Sequence, residues 1–512
     1  MSVQPTSTPS HEGQFVRGLG LTSAMTIVMG GMIGSGIFIV SADIARLVNS
    51  PALLIGAWVI TGLMTIIAAL SYGELAAMMP HAGGQYVYLR EAMGSLCGFL
   101  YGWTLFLVIQ SGTVAAVVVG FAKFLGVFFP EVSSSNWVWH IARVPRIPIG
   151  SMELGGMDVG INTQNLVAIF VVVVLTAINI FGLRLGALVQ NIFTFAKTAA
   201  LLSLVILGLY IGRTPEAVGA NFTDFWRNAA LGAKHTVQIG VTGTVALVGT
   251  ITVLAIAQVG SLFSAEAWNN VTFTAGEVKD PKRNLPLSLA LGTGIVILLY
   301  IAANMVYLSA LPLEGSIAAE TVIGRGIQHT AEDRVGTAVM QVMFGQAGAA
   351  IMALCILMST FGCANGMLLS GARVYYVMAK DRLFFRAVGH LHPTYNTPVK
   401  SLVVQGVWTS ILCISGTYGQ LLDYVVFAVL VFYILTILSI FILRKKQPDA
   451  ARPYRALGYP VLPAIYILMA FYIDFVLLLY KPQYTWPGLF IVLVGIPVYV
   501  LWSRQRKGNK EI

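Results

Sequence analysis

Glu266 and Lys197 are among the ionisable side chains that stand inside long apolar runs of this sequence. Glu266 lies in SLFSAEAWNN (Ser261 to Asn270), beside small Ser264, Ala265 and Ala267 and aromatic Phe263 and Trp268. Lys197 lies in QNIFTFAKTAALLSLVILG with no acidic residue on the same turn, near the middle of its run and out of easy reach of either surface. A charge at such depth costs on the order of 3 kcal/mol on insertion scales, so both groups should face protein or water rather than lipid. A third feature carries no charge. Met25 to Val40 reads MTIVMGGMIGSGIFIV, with Gly30, Gly31, Gly34, Ser35 and Gly36 gathered at its centre. Glycine weakens a helix by about 1 kcal/mol against alanine, so the cluster predicts either close helix packing or an unwound stretch lining a cavity. The chemistry these groups can do is binding. No intramembrane His or Asp pair and no HExxH or GxSxG motif is present to carry catalysis.

The elements that position these residues are membrane spans. Of 512 residues 57% are hydrophobic and 10% charged, against roughly 25% charged in a soluble domain, which excludes a soluble enzyme and a disordered chain. The formal net charge of +10 sits in short clusters between apolar runs, which excludes a nucleic-acid binder and reads as cytoplasmic orientation. Windows of about 20 apolar residues predict twelve spans, near 20–46, 52–79, 95–128, 163–183, 186–212, 245–274, 286–311, 340–378, 399–416, 420–443, 459–480 and 486–503. Most Lys and Arg, including Arg17, Lys282, Arg283, Arg382, Arg444 and Lys445, then fall on the side of the N-terminus, so both termini are expected inside. The long connections 131–162, 213–244 and 312–339 fall outside. Residues 1–18 form an N-terminal tail and 504–512 a C-terminal one. No signal peptide is evident. The four cysteines fall in apolar stretches and read as buried thiols, with no metal site, disulfide or cofactor expected. Spans one and six each open a set of five if the chain divides as 1–5 and 6–10, and interrupted segments at corresponding positions of two halves point to a transporter site.

Several motifs together resemble the amino acid permeases of the amino acid, polyamine and organocation superfamily, especially the L-type branch. They are GSGIF at 34–38, YGELAAMMPHAGGQYVYLREAMG at 72–94, the Lys197 context, LFSAEAWNN at 262–270 with EVKDPKRNLPLSL at 277–289, Tyr300 with Asn304 and Tyr307, and STFGCANGMLLSGARVYYVMAKD at 359–381. The resemblance runs from about Leu19 to Arg444. It implies an all-α polytopic fold of the leucine-transporter type, a five-plus-five inverted repeat over 19–444 with two accessory helices over 445–503. It implies a secondary amino acid transporter working by alternating access, sodium-independent, most simply for neutral amino acids by exchange or proton symport, with cationic amino acids or polyamines as the alternative substrates.

The same resemblance assigns roles. A substrate carboxylate would meet the first break at Ile33, Gly34, Ser35 and Gly36, and its ammonium the carbonyls of the sixth near Phe263, Ser264, Ala265 and Glu266. Helix-terminus electrostatics agree, since a half-helix N-terminus suits an anion and a C-terminus a cation. Phe263 matches a residue that shuts over substrate, and Trp268 is grouped with it as gating. Lys197 matches a lysine that stands in for sodium and links the first and eighth helices, where Ser359 and Thr360 would face it. Glu266 departs from relatives with glycine there. It can carry a coupled proton, attract a cationic side chain, or pair with Lys197 or a tyrosine. Glu74, Arg90 and Glu91 are expected as interfacial ionic contacts of the loop that closes the cytoplasmic side, serving stability or gating. Connection 131–162 lacks the cysteine by which animal relatives hold a glycoprotein heavy chain, so no such partner is expected, and a monomer or weak homodimer in a bacterial plasma membrane follows.

Overall fold

The computed structural model describes residues 17–143, 147–149, 152–154, 158–181, 183–239, 244–415 and 418–508. Of the two expected tails, 1–18 and 504–512, residues 1–16 and 509–512 lie outside the described residues, and 504–508 continue α18. In chain order the helices are α1 (Leu21–Met32), α2 (Val40–Val48), α3 (Pro51–Met78), α4 (Gln85–Met93), α5 (Ser95–Thr104), α6 (Gln110–Leu125), α7 (Thr163–Ile180), α8 (Leu183–Ile211) and α9 (Pro215–Phe222). They continue as α10 (Thr250–Ser264), α11 (Asn270–Phe273), α12 (Pro281–Ala310), α13 (Val322–Arg325), α14 (Val335–Lys380), α15 (Val399–Ser415), α16 (Tyr418–Lys446), α17 (Val461–Tyr480) and α18 (Pro482–Gly508). Among the described residues nine helices are long and apolar enough to cross a membrane, and Leu21–Met32, Thr250–Ser264 and Val399–Ile414 are shorter apolar helices. The first and sixth expected spans belong to the short group because each is interrupted. The molecule is a multi-pass membrane protein.

Local signals place the helix starts. Ser50 caps α3, its hydroxyl accepting from Leu53 N at 3.5 Å with Pro51 in the first turn. Asn162 and Asn165 cap α7 reciprocally, at 2.9 and 3.0 Å. Several expected boundaries moved, among them the start of the seventh span, expected from 286 and found at Pro281. The sixth span was expected from residue 245, but Thr244–Gly249 is a strand and the helix starts at Thr250; hydropathy alone does not separate a short apolar strand from a helix end. The eighth span was expected from 340, but α14 starts at Val335 and breaks at Gly345, whose φ of 63° and ψ of −153° suit glycine alone.

The chain is predominantly helical, as expected, and its few strands are confined to short pairs. Three antiparallel pairs occupy the connections: β1 (Trp137–Arg143) with β4 (Asp158–Asn162), β2 (Ile147–Ile149) with β3 (Met152–Leu154), and β5 (Lys234–Ile239) with β6 (Thr244–Gly249). Long connections must satisfy their own backbone groups, and a two-stranded ladder does so without forming a domain.

At the centre α1 packs against α12, α8 and α14, while α12 lies along α3 and α6 along α14. Ionic pairs bind the helix ends. Arg373 of α14 meets Glu277 at 2.7 Å, with only 4% and 1% of the two side chains exposed, and Glu277 O accepts from Gly18 N and Leu19 N at 2.9 Å, tying the start of α1 to the end of the sixth span. Glu74 does not join Arg90. It takes Arg444 in a fork at 2.9 and 2.7 Å and also accepts from Ala456 N at 2.7 Å. Arg90 pairs with Glu91 at 2.8 Å and with Asp381, which also accepts from Tyr86 OH.

A buried pair is fragile to loss of one partner. Arg373→Ala should cost about 3–5 kcal/mol by stranding Glu277, whereas Arg373→Met combined with Glu277→Leu should cost far less. Melting curves in detergent compare the two; equal loss in both would mean that the pair's charge is not what the contact depends on.

Candidate functional site

α1 loses its hydrogen-bond ladder where its glycines begin. Ile33 N still donates to Met29 O at 2.9 Å, but Gly34 N turns to Met32 O at 2.8 Å, and Ile33 takes a non-helical ψ of 85°. The chain resumes as a 3-10 turn at Gly36–Phe38 and then as α2. Carbonyls 30 to 33 thereby lose the donors four residues ahead of them. Side chains from three other helices replace those donors. Lys197 Nζ of α8 donates to Gly30 O, to Ile33 O at 2.8 Å and to Ser359 O at 3.4 Å. Cys363 Sγ of α14 donates to Gly31 O at 2.9 Å, and Ser359 Oγ to Ile33 O at 2.9 Å. Tyr300 OH of α12 donates to Met32 O at 2.8 Å. A buried polar group left without such a partner costs about 1–3 kcal/mol, so the break survives only because these four side chains attend it.

The sixth span breaks beside the first. After α10, Ala265 N reaches Ser261 O at 3.0 Å and Glu266 N reaches Phe263 O at 3.2 Å. Ala267 takes a φ of 67°, the left-handed region that a side chain disfavours, and the chain resumes as α11. Ser264 O accepts from Tyr300 OH at 3.1 Å, so one phenol joins both breaks. The contact between them leaves no spare room: a Cβ on Gly36 would lie 2.3 Å from Ser264 Oγ, and one on Gly31 2.9 Å from Ala267 O. Glycine is required at both positions for this approach.

Ile33, Gly34, Ser35, Gly36 and Ser264 thus lie together with Lys197 and Ser359, and Ala265 is buried at the same break. Thr360 does not join them. Its hydroxyl is used by its own helix, on Ile356 O at 2.9 Å and Leu357 O at 3.1 Å. Phe263 and Trp268 are buried, and Trp268 packs edge-on to Tyr72 with ring centroids 4.8 Å apart and tilted against Tyr433 at 5.3 Å. Of the partners weighed for Glu266, the tyrosine is the one observed: Tyr433 OH donates to its Oε1 at 3.2 Å, while Lys197 donates to carbonyls. Glu266 borders two small cavities, one toward α3, α16 and α17 and one toward Gln85, Gln110 and Asn270. Among the described residues no cluster of three His, Cys, Asp or Glu is placed to hold a metal.

Sequence reasoning left Tyr300, Cys363 and Tyr433 without roles. A signal existed for the first. Tyr300, Asn304 and Tyr307 recur at one helical face of an apolar span; Tyr300 serves the first break, while Tyr307 OH reaches Ile37 O of the following 3-10 turn at 3.4 Å and Asn304 Oδ1 accepts from Ser41 of α2 at 2.7 Å. Cys363 had none, since a thiol in an apolar run reads as packing.

Comparison with known proteins gives a match to the family described as "Amino acid permease" over residues 19–502. The serine/threonine exchanger SteT of Bacillus subtilis (strain 168) is 26% identical, covering 95% of this chain and 97% of SteT. The human "large neutral amino acids transporter small subunit 2" is 28% identical over 96% of this chain and 81% of that protein. The mouse "b(0,+)-type amino acid transporter 1" is 26% identical over 96% and 88%.

The crowding at the two breaks gives a rescue test. Gly36→Ala should force Ser264 away and weaken substrate binding by about tenfold or more, roughly 1.4 kcal/mol, while Gly36→Ala with Ser264→Gly should regain part of it. Binding to the purified proteins reads this out; no recovery in the double variant would separate Ser264 from the effect.

Proposed function

We propose, for a chain that belongs to the amino acid permease family, that it carries neutral amino acids across the membrane by sodium-independent exchange. That it is an amino acid transporter and not an enzyme follows from the family and from relatives named for amino acid transport and exchange. The finer reading rests on one observation: two helix breaks in contact, with the positive charge of Lys197 already on the carbonyls of α1 and α14. Those carbonyls have the ligation a sodium ion would supply, which supports transport without it. A zwitterion suits the space the breaks make on separating. The head of the 3-10 turn at Gly36 offers N–H groups to a carboxylate and the C-terminal end of α10 offers carbonyls to an ammonium.

In this reading the five-plus-five core spans 19–444, and 445–503 is accessory. Both termini face the cytoplasm of a bacterial cell, and the chain works as a monomer or weak dimer without a disulfide-linked partner, since connection 131–162 has no cysteine. Phe263 and Trp268 close over the substrate as the breaks approach. Protons are the candidate coupled ion, and Glu266 is then the group to test. Its bond to Tyr433 favours the structural role.

Uptake into proteoliposomes of the twenty amino acids, with internal substrate and proton gradient varied, tests the proposal. Saturable uptake of neutral amino acids that accelerates with internal substrate is expected; uptake driven by sodium would overturn it. Lys197→Ala should lower exchange by at least about tenfold with normal expression, because the freed carbonyls cost about 1–3 kcal/mol when unpaired.

Glu266→Gln keeps an acceptor for Tyr433 and should leave neutral exchange within about twofold, under 0.5 kcal/mol. Selective loss of proton-driven accumulation would instead make Glu266 the proton carrier, and selective loss of lysine and arginine uptake would make it a determinant for cationic substrates.

A further inference from the structure

One buried polar side chain beside the site has no part in holding either break. Gln190 of α8 is 3% exposed and lies on the face that also carries Thr194 and Lys197, at helical spacings of four and seven. Its amide is wedged between two glycines of different helices. A Cβ on Gly30 of α1 would come within 2.0 Å of Gln190 Nε2, and a Cβ on Gly366 of α14 within 2.7 Å of Gln190 Oε1. Gly30 is also the residue whose carbonyl Lys197 holds. The amide therefore occupies the junction of α1, α8 and α14 next to the break.

On the side of Gln190 facing the start of α1 is a small cavity, lined there by Leu19, Ser23 and Ile27 and by Asn191. Polar groups follow the same seam: Thr26 donates to Asn191 Oδ1 at 2.7 Å, and Thr194 to Thr26 O at 3.3 Å. Gln190 itself is poorly served. Its Nε2 has Thr194 Oγ1 at 3.4 Å, and its Oε1 has no hydrogen-bond partner. A residue needed only for packing would be apolar, because a buried amide with unmet bonding capacity raises the energy of the closed arrangement. The same amide gains partners when water enters.

We propose that Gln190 is the inner plug of the transport path, closing the seam between α1, α8 and α14 on the cytoplasmic side of the Lys197 site and opening it by withdrawing. The assignment of sides and of transport rests on the reading above. Gly30 and Gly366 are glycines because the plug needs their space, and the plug is an amide because it must leave for water.

Cys363 supplies a readout independent of transport, since its thiol lies on the site side of the plug, 3.3 Å from where a Gly34 Cβ would be. In a Cys97→Ser, Cys355→Ser, Cys413→Ser background, the rate at which a water-soluble maleimide modifies Cys363 tracks the open population. Gln190→Ala should raise that rate about tenfold, and in proteoliposomes should raise efflux into amino acid-free medium relative to exchange. Gln190→Leu should restore slow labelling and slow exchange, because an apolar plug gains nothing from water. Where the alanine variant does not purify, Gly366→Ala, whose methyl displaces the amide, should give the same rise. Unchanged labelling in the first variant that purifies would overturn the plug. Wild-type protein that exchanges no amino acid would overturn the transport reading alone, with labelling still deciding the role of Gln190.

Discussion

A helix cannot stop in the middle of a membrane without leaving carbonyls that have neither backbone partners nor water, and the organisation of this protein follows from how that problem is met at α1. Carbonyls 30 to 33 are attended by Lys197 from α8, Tyr300 from α12 and Ser359 and Cys363 from α14. The attending side chains come from three helices far apart in sequence, so the break is also a junction. Moving α1 relative to any of these helices therefore trades hydrogen bonds at the break itself.

Tyr300 has a particular place in this scheme because its hydroxyl serves both breaks, at Met32 O and Ser264 O. The second break adds strain of its own, with Ala267 in a left-handed conformation against Gly31. The close approach of Gly36 to Ser264 leaves the two interrupted helices in contact. Ionic ties at the helix ends, Arg373 with Glu277 and Arg444 with Glu74, hold the surrounding frame while allowing the centre to be polar.

What the sequence determined by itself is the class of molecule and the location of its breaks. Few charges, apolar runs of spanning length and small residues gathered at mid-span are local properties, and the cost of a charge or an unwound turn in lipid does not depend on which partner relieves it. That is why the region around Gly34 and Ser264, and the need of Lys197 for a tertiary partner, were legible before any coordinates. Element boundaries were less so: Thr244–Gly249 reads as apolar whether strand or helix, and only pairing with Lys234–Ile239 decides it.

Tertiary structure alone decided which partner each polar group received. Glu266 had three admissible partners by chemistry, and packing of α16 against the sixth span brought Tyr433 to it. Ser359 and Thr360 are adjacent and chemically alike, yet helical rotation of about 100° per residue sends one hydroxyl to Ile33 O and leaves the other on its own helix. Cys363 and Gln190 acquired their positions from the meeting of α1, α8 and α14, contacts separated by more than a hundred residues in the chain. Hydropathy records how much a residue avoids water; the direction in which its donors point is set only when helices pack.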